Sequence, residues 1–92
     1  MAKATAELTE HDEVVSARSL ITFENVQLAL AAGLEACQRN GDIDPAADAR
    51  QLAGLLLAVH RGIEALGKAG FDENALRSMA ETALAALPRP PR

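Results

Sequence analysis

The sequence has no tryptophan and no tyrosine, and two phenylalanines are the only aromatic side chains among its 92 residues. Its apolar half is therefore carried by twenty alanines and thirteen leucines, the alphabet of a helix former. Basic residues are also scarce. Nine Lys plus Arg stand against thirteen Asp plus Glu, a net charge of −4 and a pI near 5.0. Such a balance offers no electrostatic footprint for nucleic acid or for an anionic membrane surface. The single Cys37 excludes an intramolecular disulfide, and no apolar segment follows a basic start as a signal peptide requires, so the expected location is cytoplasmic. The longest uncharged stretches, Asn25 to Leu34 and Gln51 to His60, are ten residues each, about half of what a bilayer span needs. No membrane association is expected, no strand pattern or internal repeat is present, and the length leaves no room for a two-domain enzyme.

What is present is helical punctuation and helical spacing. Residues 1–12 read as an N-terminal stub, the end of a preceding helix, in which Thr9 or Asp12 caps the helix after it. A first helix is expected over Glu13 to Arg39. Leu20, Phe23, Leu30, Leu34 and Cys37 form one stripe on it, and Val14, Ala17, Ile21, Leu28 and Ala32 form the adjacent one. Asn40 and Gly41 end this helix, and Asp42 to Asp48 connect it to the next, with Asp44 and Pro45 as a turn signal and Asp48 as the N-cap.

A second helix is expected over Ala49 to Ala69. Leu52, Leu56, Val59, Ile63 and Leu66 repeat with heptad spacing, beside a stripe of mostly small residues at Leu55, Ala58, Gly62, Ala65 and Ala69. Two adjacent apolar faces imply two different neighbours. Gly70 ends the helix and Asp72 caps a third, Glu73 to Leu87, with Leu76, Ala80, Ala83 and Leu87 in line and Met79 and Leu84 flanking. Pro88 stops it, and the tail of residues 88–92, rich in Pro and Arg, is expected to be disordered or polyproline II. The fold class is thus all-α. Three helices with apolar surface on more than one side are one short of a closed bundle; the missing partner is an earlier helix of a larger protein, a second copy, or both.

The polar candidates all have plain readings. His60 precedes Glu64 by one helical turn and reads as a partly exposed partner for it. His11, His60 and Cys37 lack metal-ligand spacing, so no metal and no cofactor is expected. Cys37 has no positioned base and reads as a small core residue. The acidic cluster Glu7, Glu10, Asp12 and Glu13 is explained by capping and the helix dipole. Asp42, Asp44 and Asp48 lack the glycine and bidentate glutamate of a calcium loop. Arg39, Arg50, Arg61 and Arg77 read as single solvated charges. No residue set has the partners that catalysis needs, and no enzyme is expected.

The run Ala6-Glu-Leu-x3-Asp12, the helix ending Gln38-Arg-Asn-Gly41-Asp-Ile43, then Asp48-x2-Gln51-Leu-Ala53-x2-Leu56-Leu57, and Gly62-Ile-x-Ala-Leu66-x3-Gly70-x-Asp72-x3-Leu76 with a closing Ala83-Leu84-Ala-Ala-Leu87, together resemble the C-terminal region of TetR/AcrR-family transcriptional regulators. The resemblance makes residues 13–87 a TetR-type C-terminal helical domain and implies a homodimer in which the last two helices and their copies form a four-helix bundle. Its interface would contain Leu52, Leu55, Leu56, Ala58, Val59, Gly62, Ile63, Ala65, Leu66, Leu76, Met79, Ala80, Ala83 and Leu87. The preceding helix would line part of a pocket for a small hydrophobic effector, through Phe23, Gln27 and Leu30. The helix-turn-helix and the helices that complete the effector cavity in that family have no counterpart here, so no direct DNA binding by this chain is implied. The alternative is a stand-alone small helical module that binds a hydrophobic ligand or a partner helix.

Overall fold

The computed structural model describes residues 2–91, and side-chain surroundings for residues 17–91. Three helices and no strand occur among the described residues: α1 (Ala2–Arg39), α2 (Ala49–Lys68) and α3 (Glu73–Ala85). Helix α1 begins eleven residues earlier than the expected start at Glu13, so residues 2–12 belong to it rather than to a separate stub. A capping side chain acts as a cap only where the backbone turns. The first Gly is Gly33 and the first Pro is Pro45. Thr9 and Asp12 cost only about 0.5 kcal/mol each inside a helix, which leaves nothing to break it. The side chains of the acidic cluster, His11 and Val14 lie outside the described surroundings.

Both C-terminal closures form where glycine permits them. Gly41 (φ +83°) and Gly70 (φ +102°) adopt the left-handed conformation. The next amides along the chain, of Asp42 and Phe71, donate back five residues to the carbonyls of Cys37 and Leu66, at 2.9 and 3.1 Å. The Asp48 carboxylate accepts from the Gln51 amide at 3.1 Å, and Asp72 accepts from the Asn74 amide at the same distance, capping α2 and α3.

Between α1 and α2 the chain is held from beneath. The Gln38 side-chain amide donates to the carbonyls of Asp44 and Ala47 at 3.0 and 2.8 Å. Asp44 Oδ1 accepts from the Ala46 amide at 2.9 Å. These bonds close the loop over Ile43, which is buried. The tail, expected to be free, returns to this loop. The carbonyl of Pro88 accepts from the Asp44 amide at 3.0 Å, and Pro88 and Pro90 are half-buried.

Helix α2 lies in the middle: it packs on α1 and on α3, and those two do not pack on each other. Only Ala31, Leu34, Ile43 and Ala53 are buried among the described residues, with Leu30, Cys37, Ala49, Leu52, Leu56 and Leu87 packed around them. Among the described residues no bulky side chain is fully enclosed. The radius of gyration is 17.2 Å, against about 12 Å for a compact domain of this length.

Candidate interaction surfaces

The two faces of α2 have different fates. The heptad seam points into the chain's own fold: Leu52 and Leu56 pack around the buried cluster, and Val59, Ile63 and Leu66 are half-buried. Seam residues Leu56, Val59 and Ile63 border one hollow with Ala80, Ala83 and Leu84 of α3. Leu76, Met79 and Leu87 are half-buried as well. The small-residue stripe faces outward. Leu55 is 59% exposed, Ala58, Gly62 and Ala65 are exposed, and a Cβ built on Gly62 would meet nothing within 4 Å.

A groove opens on the other side of α2. One wall comes from α1 through Val26, Ala29, Leu30, Gly33 and Cys37, with Leu56 at its base. Its other wall is α3, through Ala80, Ala83 and Leu84. Leu56 lines both halves, with Val59 and Ile63 extending the floor on the α3 side and His60 at the margin. Small residues on both walls, Ala29, Gly33, Ala80 and Ala83, keep the walls low. An α-helix packs on such surfaces at an interaxial distance of about 8–10 Å.

The three effector candidates do not converge. Phe23 lies half-buried under the Arg61 guanidinium, whose carbon is 4.9 Å from the ring centroid, beside Arg18, Ser19 and Thr22. Gln27 spends its side-chain amide on the Arg50 carbonyl at 3.0 Å. Leu30 belongs to the groove wall. Sequence spacing missed Val26, Ala29 and Gly33. They follow the i, i+3, i+7 pattern with Leu30 and Cys37, but the reading in two stripes divided the helix elsewhere.

The polar groups make short-range pairs. His60 Nε2 is 3.4 Å from Glu64 Oε1, with the imidazole 70% exposed, and Arg61 donates to the same oxygen at 2.9 Å. Arg77 and Glu73 approach to 3.7 Å. Exposed pairs of this kind contribute at most about 1 kcal/mol. Cys37 is half-buried and lies between the groove and a cleft under the tail formed with Asp42, Ile43, Leu84, Leu87 and Arg89. Among the described residues no three His, Cys, Asp or Glu side chains gather as a metal site, and no helix is long and apolar enough to cross a membrane.

Compared with known proteins, the chain matches no family model, no curated protein and no solved structure.

Proposed function

We propose that this chain is a helical self-association module, the dimerisation and partial effector-binding region of a TetR-like regulator. The observation that carries the reading is the shortage of enclosed apolar surface beside apolar hollows on both sides of Leu56. Leu20, Ile21, Val26, Leu28, Leu55, Phe71 and Leu84 are all between 39% and 60% exposed, while four residues form the whole buried cluster. Apolar area left in water forfeits roughly 25 cal/mol per Å², and a second copy supplies the cover. On this reading α2 and α3 supply the interface, and DNA is contacted only through a helix-turn-helix outside this chain. Effector contact through Phe23, Gln27 and Leu30 rests on the resemblance alone, since the three have separate neighbours, the Arg61 guanidinium, the Arg50 carbonyl and the groove wall.

Sedimentation velocity of the purified chain between about 1 and 100 µM tests the self-association. A dimer is expected, and Leu84→Glu, which places a charge on an exposed groove residue, is expected to weaken it. A chain that stays monomeric throughout, with Leu84→Glu indistinguishable from it, overturns the reading. That outcome favours the stand-alone binding module, for which the same groove is a helix-sized receptor.

A further inference from the structure

We infer that the groove between α1 and α3 is filled by the N-terminal half of α1 from a second copy, each copy lending its arm to the other about a two-fold axis. The inference rests on the self-association reading and adds the N-terminal half of α1 to the interface that α2 and α3 supply. Helix α1 has 38 residues and α2 has 20, so at 1.5 Å per residue α1 is about 57 Å long and α2 about 30 Å. Roughly the first half of α1 therefore runs on beyond the helix it packs against. At the root of that arm Leu20 and Ile21 are 58% and 60% exposed, bulky apolar side chains left mostly in water.

The groove suits such an occupant in shape and in charge. Its floor of Leu56, Val59 and Ile63 is apolar, and Gly33 on one wall and Ala83 on the other let a helix approach closely. Residues 2–20 carry four acidic and two basic side chains, a net −2, whereas residues 49–92 carry six basic and four acidic ones, a net +2. An acidic arm is attracted to the half of the molecule that forms the floor and the α3 wall, and repelled by the arm of its own kind.

The area agrees. The chain exposes 7080 Å², where a compact monomer of 9.7 kDa exposes about 5,100 Å². The excess of roughly 2,000 Å² exceeds the ~800 Å² per partner that a standard stable interface buries. Reciprocal exchange is also the arrangement in which one concave and one protruding element per copy satisfy each other without leaving a free end.

Complementation of two defective copies is the test. Gly33→Trp fills the groove from a position where an added Cβ meets nothing within 4 Å, and Ile21→Asp places a charge on the exposed arm. Each variant alone is expected to lose dimer affinity by about tenfold or more, with unchanged helical circular dichroism. Mixed, they are expected to recover a heterodimer by native mass spectrometry, because the intact arm of the Gly33→Trp copy meets the intact groove of the Ile21→Asp copy. Gly62→Trp, on the open stripe of α2 adjacent to the groove floor, is expected to leave the dimer unchanged. Loss of the dimer in Gly62→Trp but not in Gly33→Trp would place the interface on the small-residue stripe and overturn the arm exchange, while self-association stands. Two weakened variants that fail to complement overturn it as well. A wild-type chain that never dimerises removes the self-association reading and the exchange together.

Discussion

The side-chain amide of Gln27, on α1, donates to the backbone carbonyl of Arg50 in the first turn of α2 at 3.0 Å, across the place where the two helices meet. The contact depends on a missing side chain: a Cβ on Gly54 would lie 3.0 Å from Gln27 Nε2. Two helices that share few buried side chains are thus joined by a polar strut that needs a glycine beside it.

Gln27→Ala is expected to destabilise the chain by about 1 kcal/mol, the usual net value of one hydrogen bond. Gly54→Ala gains up to about 1 kcal/mol of helix propensity but displaces the Gln27 amide, and is expected to be nearly neutral. In the Gln27→Ala background the displacement has nothing to disturb, so Gly54→Ala should become stabilising. Urea midpoints of the four proteins in this double-mutant cycle measure the coupling, and additive effects would contradict it.

Glycine substitutions are expected to divide by backbone conformation. Gly41→Ala and Gly70→Ala force a side chain into the left-handed region and should each lower stability by about 1–2 kcal/mol. Gly62→Ala meets open space in a helix interior and should raise stability by about 0.5–1 kcal/mol. Thermal denaturation of the three variants checks the order, and a stabilised Gly41→Ala would refute the closure described for α1.

Gln38→Glu replaces a donor that satisfies two carbonyls with an acceptor that repels them. Two lost bonds in a part-buried site should cost roughly 2 kcal/mol. The affected region is local. Amide exchange in the loop of residues 42–48 should accelerate more than exchange in α3.

Removing residues 88–92 takes away the carbonyl that accepts from the Asp44 amide. Stability is expected to fall by about 1 kcal/mol, and the Asp44 amide to lose its protection from hydrogen exchange. Unchanged protection at Asp44 in the shortened chain would show that the tail contributes nothing there.

The punctuation of this fold was legible because it is local chemistry. Asp48 and Asp72 cap, Gly41 and Gly70 reverse, and α2 begins at Ala49 as its spacing requires. The start of α1 was not legible, since Thr9 and Asp12 are good caps and also tolerable helix residues, and nothing local says which role the chain selects. Ile43 was a readable signal left unused, the one bulky apolar side chain in a loop of Asp, Pro and Ala.

The surfaces were legible in part. Spacing identified the seam through Leu52, Leu56, Val59 and Ile63, but hydrophobic periodicity does not distinguish a neighbour in the same chain from one in another. In the structure the seam is turned toward α1 and α3. The bonds made by Gln27 and Gln38 were not legible, because a glutamine carries no periodic signature. Their roles depend on which carbonyls the fold brings within reach.

Since α3 rests on α2 rather than on α1, a displacement of α1 reaches α3 through the side chains of α2, and reaches the tail along the loop through the bond between Asp44 and Pro88. The first route is a broad apolar contact that slides readily, the second a single directional bond that does not. The tail is thus tied to the α1–α2 loop by a bond whose geometry depends on where α1 ends.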